Sequence, residues 1–434
     1  MTIHSCSGPW KGRRVGVQLS GTDPAGDLIS EPQRGAPRDD AAELVRHELR
    51  AWLDENFTPG VREAVAHRQE GNVQVEPFDA LRAWNATLFD AGWAAPSWPA
   101  DFGGRDAGII EQLAIGEEMA RSGAPGPINA IGVANIAPAI MTYGTPEQQE
   151  RFLRPMLRGD HIWSQGMSEP EAGSDLASLR CRAVADGDHF VVTGQKTWNS
   201  NGDRAHWCQL FVRTDPTAAK HQGITCLLVD MALPGIEVRP IRTMAGDAGF
   251  AEVFLDEVRV PRSALLGPVD QGWTVATRTL SNERAGVATL HLHLRRKFDR
   301  LLEAAAMPGP DGRRATDSPV IRDALAARYT EVRVLELLAK RMLGALIAGR
   351  TPGPEGSVIK LAWAFTDQAL SATSVDVLGL PALTGGWARN LLSSRSLTIA
   401  GGTTEVNKNI IGERVLGLPR EPKPIPATQE DDRG

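Results

Sequence analysis

Met167-Ser168-Glu169-Pro170-Glu171-Ala172-Gly173-Ser174-Asp175, followed shortly by Gly194-Gln195-Lys196-Thr197-Trp198-Asn199-Ser200-Asn201-Gly202, is the part of this chain whose reading decides the rest. Residue by residue the first block is an ordinary surface loop and the second a strand with a glycine turn, since Gly, Pro, Ser and Asp are common turn formers. The surroundings are β-rich from about His161 to Gly267, with short runs at His189 to Thr193, Cys208 to Thr214, Ile224 to Asp230, Ile236 to Ile241 and Glu252 to Val260. Such runs predict strands, and Asp186-Gly187 predicts a tight hairpin between two of them.

Outward from this centre the period becomes helical. Asp39 and Asp40 precede Val45, Leu49, Trp52 and Leu53, apolar at helical spacing, which predicts a capped amphipathic helix. Further helices are predicted at Phe78 to Ala91, Ile109 to Arg121, Ile128 to Tyr143 and Thr145 to Leu157. Downstream they are predicted at Thr274 to Leu302, Pro319 to Ala348, Glu355 to Leu378 and after Thr403. The order is helices, sheet, helices: an α+β chain, mostly α, without internal repeats. It divides into an all-α unit at 39–160, a β unit at 161–267 and a helical unit at 268–418. Residues 1–38 and 419–434, rich in Gly, Pro and charge, are expected to be a mobile leader and tail.

At 434 residues, 42% hydrophobic and 23% charged, the chain can bury a core of about three units. A formal net charge of −6 offers no overall positive field, which argues against nucleic acid and anionic lipid as partners. Cys6, Cys181, Cys208 and Cys226 have neither zinc-site spacing nor the density of a disulfide scaffold, so a reducing, cytoplasmic setting is expected. No apolar run approaches the about 18 residues of a membrane span.

Taken together, the two central blocks resemble the flavin-binding segment of the acyl-CoA dehydrogenase family, which reads much like Thr-Glu-Pro-x-Ala-Gly-Ser-Asp and then Gly-x-Lys-x-Trp-Ile-Thr-Asn. The resemblance extends from about Asp39 to Arg420. It implies an N-terminal helical domain, a middle β-barrel and a C-terminal four-helix bundle, with FAD as cofactor and an acyl-CoA thioester as substrate. It further implies an electron-transfer flavoprotein as electron acceptor and a homo-oligomer, dimer or tetramer. By this resemblance Met167 and Ser168 lie at the N1 and C2-carbonyl edge of the flavin, Trp198 against the ring and Ser200 near N5. Gly173 and Ser174 match positions holding the pantetheine or phosphate part of the thioester.

Removing an α-proton while a β-hydride departs calls for a carboxylate in a dry cleft, where burial raises its pKa. Most of the family carries that glutamate in a Tyr-Glu-Gly-Thr turn, but here the stretch is Ala400-Gly401-Gly402-Thr403-Thr404-Glu405 and the position is filled by Gly401. A minority, similar to isovaleryl-CoA and long-chain acyl-CoA dehydrogenases, places it on a helix just before an arginine. Glu283 in Leu280-Ser281-Asn282-Glu283-Arg284 matches that position, with Arg284 orienting the base or the active-site loop. The alternative is an exposed helix charge pair. A glycine at 401 still offers its N–H to the thioester carbonyl and releases space for a branched or bulky acyl group.

Two family features differ. The Arg-x-x-Phe-Gly motif that reaches the FAD pyrophosphate is absent; Met307 to Ser318 is a Pro/Gly/Arg-rich connector, with Arg313 and Arg314 its nearest candidates. The Gln-x-x-Gly-Gly stretch becomes Asp376-Val377-Leu378-Gly379-Leu380, leaving Asp376 and Gly379, with Thr403 and Glu405, as remaining cofactor-binding candidates. These departures keep open a non-catalytic or half-site subunit of a heteromer with a homologous chain, and an acyl-CoA oxidase on the same fold. Among weaker candidates, His291 and His293 face apart on a helix, Glu117 and Glu118 read as a solvated face, and Cys208 reads as packed. Arg13-Arg14 is too short for a nucleic-acid patch.

Overall fold

A computed structural model describes residues 37–70, 77–285, 290–309, 311–350 and 353–420. Among the described residues six α-helices come first: α1 (Pro37–Asn56), α2 (Pro59–Glu70), α3 (Phe78–Asp90), α4 (Ile109–Ser122), α5 (Ala137–Tyr143) and α6 (Pro146–Arg158). α1 buries Ala42, Val45, Leu49 and Leu53, the stripe that its apolar spacing predicts. It begins at Pro37, so Asp39 and Asp40 lie in its first turn instead of ahead of it; proline suits a first helical position because its missing N–H would have no partner there. The rest of the expected leader, with Cys6 and Arg13-Arg14, lies outside the described residues, as does the tail beyond Arg420.

The helix expected from Ile128 to Tyr143 is interrupted. A π-turn at Gly132–Ile136 precedes α5. Asn129, fully buried, lies against Gly132, where a Cβ would meet its amide nitrogen at 2.6 Å. Asn129 donates to the carbonyls of His161 (2.9 Å) and Met156 (3.3 Å) and accepts from the Trp163 N–H (3.1 Å). One amide thereby joins α6 to the first strand. α6 itself is capped reciprocally by Thr145 and Gln148, and the Gln148 amide goes on to the carbonyls of Ser263 (3.0 Å) and Leu265 (2.8 Å).

Glu118 departs from the expected solvated face. It is 2% exposed, accepting from both Nε (3.1 Å) and Nη2 (3.0 Å) of Arg50 on α1 and from Arg121. Burial by itself would raise its pKa, but hydrogen bonds from Arg121 and Arg50 hold the carboxyl down to about 2. Glu117 remains half-exposed, paired with Arg46 at 2.7 Å. Because the folded-state pKa of Glu118 is depressed, its contribution is full above the unfolded value and is lost as pH falls from about 4.5 towards 2. Glu118→Gln is expected to cost about 2–3 kcal/mol near neutral pH and to flatten the acid limb of stability in that window, read by urea unfolding at several pH values.

The middle of the chain is a curled seven-stranded sheet: β1 (Trp163–Gly166), β2 (Arg182–Asp186), β3 (His189–Ser200), β4 (Trp207–Arg213), β5 (Ile224–Asp230), β6 (Ile236–Ile241) and β7 (Phe250–Pro261). The order is β1-β4-β2-β3-β7-β6, with β5 paired to β4. β1, absent from the expected strands, runs parallel to β4 with Trp163 opposite Trp207. The β2–β3 hairpin closes at Gly187, whose φ of 59° suits glycine.

Helices return with α7 (Gly272–Ala285), α8 (Leu290–Ala306), α9 (Pro319–Ile347), α10 (Glu355–Leu378), α11 (Gly385–Ser393) and α12 (Thr404–Ile410). What the sequence presents as one helix from Thr274 to Leu302 is assigned as α7 and α8, the residues between them lying outside those described. Leu294, Phe298 and Leu301 of α8 pack on Leu325, Val332 and Leu335 of α9 and Ile359 and Leu370 of α10. Among the described residues no helix is long and apolar enough to cross a membrane.

Candidate active site

β1 ends at Gly166 and delivers Met167 and Ser168 alongside β3. Both carbonyls of this pair are tied inward: that of Met167 accepts from Lys196 Nζ (3.2 Å) and that of Ser168 from the Thr197 N–H (2.9 Å). Their own N–H groups have no partner among the described residues. Two half-buried amides are left over at one place, an arrangement that stays favourable only if water or a ligand acceptor meets them. The next two corners are fastened as well, by paired backbone bonds between Glu169 and Ala172, each 3.1 Å.

Lys196 and Glu169 hold the loop. Lys196 is fully buried and Glu169 is 8% exposed, with Nζ to Oε1 at 2.8 Å. The carboxylate also accepts from the N–H groups of Arg180 (2.6 Å) and Cys181 (2.8 Å). Neither residue was among the predicted site residues, although a signal existed. Within β3, Phe190, Val192 and Lys196 share the parity of the inward face, so a lysine there must find a buried acid.

By the same parity Trp198 should also point inward, yet it is 58% exposed, the one exposed tryptophan among the described residues. The reason is local. Register between β3 and β7 shifts between Lys196 and Asn199, and Trp198 adopts φ 60°. A bulge with a left-handed residue swings the indole out, edge-to-face with Phe250 at 5.8 Å, while Asn199 turns into the core with no exposure. A bulky residue at positive φ stores on the order of 1–3 kcal/mol of strain, and such strain collects at functional sites. Ser200 ends β3 half-buried beside these groups.

The other predicted residues fall into two further places. Gly173 and Ser174 are exposed on the turn after Ala172, and a Cβ on Gly173 would meet nothing within 4 Å. Glu283 and Arg284 occupy the last turn of α7; their side chains lie outside the described residues. One helical turn before Glu283, buried Thr279 accepts from Gln209 of β4 (3.4 Å), and Gln209 accepts from Gln165 of β1 (3.2 Å). This polar line joins the helix of Glu283 to the strand that delivers Met167.

Asp376 is exposed in the last turn of α10 and Gly379 caps it at φ 63°. Gly401, at φ 66°, is exposed in the turn before α12, and Thr403 caps that helix by accepting from the Val406 N–H (3.2 Å). Glu405, exposed in the first turn, has its pKa lowered by its own backbone N–H and the Thr403 hydroxyl. Buried Lys360 and Asn407 fix the turn, donating to the Gly402 carbonyl at 2.7 and 2.8 Å; both were missed, and a lysine in an otherwise apolar stretch of α10 was the available sign. No hydrogen bond or ion pair links Asp376, Gly379, Gly401, Thr403 or Glu405 to the Met167–Trp198 cradle among the described residues.

Cys208 is buried, and burial pushes its thiol up to about 11, so it is unreactive. His291 is buried and His293 exposed, and no group of three metal-ligating side chains occurs among the described residues. Arg313 and Arg314 are both exposed in the connector.

Three family descriptions match in series: "Acyl-CoA dehydrogenase, N-terminal domain" at residues 39–160, "middle domain" at 164–258 and "C-terminal domain" at 270–416. "Acyl-CoA dehydrogenase IpdE1" of Mycolicibacterium smegmatis is 38% identical over 396 residues, 87% of this chain and 98% of that protein. Among solved structures, "Tcur3481-Tcur3483 steroid ACAD" superposes with a TM-score of 0.77 at 30% identity, covering 88% of this chain and 98% of that one. The ChsE4-ChsE5 complex of Mycobacterium tuberculosis does so at 0.76 and 33%, covering 90% and 100%. Three domain models matched in series between residues 39 and 416, with a relative 38% identical over 87% of the chain, decide the matter: the chain belongs to the acyl-CoA dehydrogenase family.

Proposed function

We propose that the chain catalyses FAD-dependent α,β-dehydrogenation of a bulky acyl-CoA thioester to the trans-2-enoyl-CoA. The observation that carries this is the pair of unclaimed amides at Met167 and Ser168 beside outturned Trp198. FAD, when bound, accepts the hydride that leaves Cβ. Met167 and Ser168 would hold it through their N–H groups, Trp198 would shelter it from water, and Ser200 would add a hydroxyl or amide contact. Glu283 takes the Cα proton and Arg284 orients it. The Gly401 N–H donates to the thioester carbonyl and acidifies that proton. Gly173 and Ser174 meet the pantetheine or phosphate arm. Asp376, Gly379, Thr403 and Glu405 complete the cofactor contacts, and an electron-transfer flavoprotein takes the electrons onward.

Bulk in the acyl group is supported by the missing side chain at Gly401 and by the similarity to a solved steroid ACAD. Anaerobic titration of the purified yellow protein against thioesters varied in length, branching and ring content tests the reading. Bleaching by ring-bearing or branched thioesters is expected. Turnover of short straight chains alone would overturn the size assignment, and a protein that stays yellow with every thioester would overturn the activity. Trp198→Ala is expected to weaken FAD retention about 10- to 100-fold, the loss of roughly 1–3 kcal/mol of ring stacking, while leaving the unfolding midpoint of the FAD-free protein nearly unchanged because the indole is exposed; equilibrium dialysis and thermal unfolding measure the two.

A second reading has one observation of its own: the solved neighbours include a complex of two different chains, ChsE4-ChsE5. On it, this chain assembles with a homologous subunit instead of with itself. Co-expression with candidate homologues followed by mass measurement of the native complex separates a homo-oligomer from a heteromer.

A further inference from the structure

Lys196 places a positive charge wholly out of water, with two acceptors: Glu169 Oε1 at 2.8 Å and the Met167 carbonyl at 3.2 Å. Glu169 does not belong to Lys196 alone. Its two oxygens also take the N–H groups of Arg180 and Cys181, at 2.6 and 2.8 Å. The carboxylate's charge is thus shared among three donors, two on Oε1 and one on Oε2, so the ammonium's field is not spent on it alone and reaches the Met167 carbonyl.

That carbonyl and the Ser168 N–H are opposite ends of one planar, conjugated peptide unit. Electron density drawn onto the oxygen is withdrawn from the nitrogen, which makes the N–H a stronger donor. Chains of hydrogen bonds polarise one another in this way by perhaps 10–30% per bond in a low-dielectric setting. The Ser168 N–H has no partner among the described residues, so whatever acceptor meets it feels the effect directly.

We propose that Lys196 is a positioning residue that works through the Met167–Ser168 peptide: it holds that peptide in place and strengthens the Ser168 amide as a donor to the flavin edge, thereby raising the reduction potential of the bound cofactor. This rests on the reading that the loop holds FAD. The direction follows from charge, since the edge facing the amide is more negative in the reduced ring than in the oxidised one and gains more from a stronger donor.

The test removes both charges together, because a single change would strand a buried ion. K196Q/E169Q is prepared with FAD, its fold checked by near-ultraviolet circular dichroism, and its potential measured against a reference dye. The two-electron equilibrium should move about tenfold towards oxidised flavin, which is about 30 mV more negative than wild type. K196R, which keeps the cation, should retain the wild-type potential. If the glutamine pair does not fold, K196M/E169Q is read in its place. An unchanged potential in a folded, flavin-loaded double variant overturns the proposal, as does loss of FAD from both double variants with the fold intact, since the pair is then a strut only. A wild-type protein that binds no FAD refutes the functional reading instead, so the two failures are distinguishable.

Discussion

Glu283→Gln is expected to slow anaerobic bleaching of the flavin by an acyl-CoA by on the order of 10²–10⁴-fold, with FAD content unchanged. The size follows from chemistry. The α-hydrogen of a thioester is poorly acidic, and an amide at 283 is isosteric with the carboxyl but accepts no proton. With Gly401 in the turn where most of the family carries its base, no second carboxylate is assigned to stand in. Stopped-flow absorbance under anaerobic conditions gives the rate, and the ratio of flavin to protein absorbance gives the occupancy. Unchanged bleaching would remove Glu283 from the mechanism and require another base. The backbone context suits the role: α7 carries Thr279 into contact with Gln209, and Glu283 follows one turn later.

The second large effect concerns stability. Glu169→Ala is expected to destabilise the protein by about 3–5 kcal/mol, because it leaves the buried Lys196 ammonium without its counter-charge, with the Met167 carbonyl as its remaining acceptor, and takes the acceptor from the Arg180 and Cys181 N–H groups. Against a typical total of about 5–15 kcal/mol, that is a large share. It is read as a fall in the urea midpoint at constant slope. Losing both charges at once should cost less than the sum of the single changes, and a double-mutant cycle over Lys196 and Glu169 measures the difference. Additive costs would show that the pair does not act as a unit.

The α1 stripe, the β2–β3 hairpin and the alternation of helices, sheet and helices are legible in the sequence because each is set by local period or turn chemistry. What is hidden depends on contacts distant in sequence. Glu118 looks like solvated helix surface until α1 brings Arg50 to it, and the π-turn before α5 begins where Asn129 packs on Gly132. β1 is too short to announce itself and exists through its parallel pairing with β4. The site shows the same division. Trp198 is found through its motif, but its outward direction comes from a register shift that no local period contains. Lys196 and Glu169 stand inside the two quoted blocks and escape notice there, because their meaning lies in burial against each other.

The bulge that turns Trp198 outward gives the protein an optical reporter. Every other tryptophan among the described residues is at least partly sheltered, so of their combined emission in cofactor-free protein the long-wavelength edge belongs chiefly to this one indole. A flavin seated against it would quench that component first and leave the blue-shifted signal of the interior rings less affected. With Trp10, which lies outside the described residues, replaced by Phe, occupancy of the site can be followed by fluorescence alone.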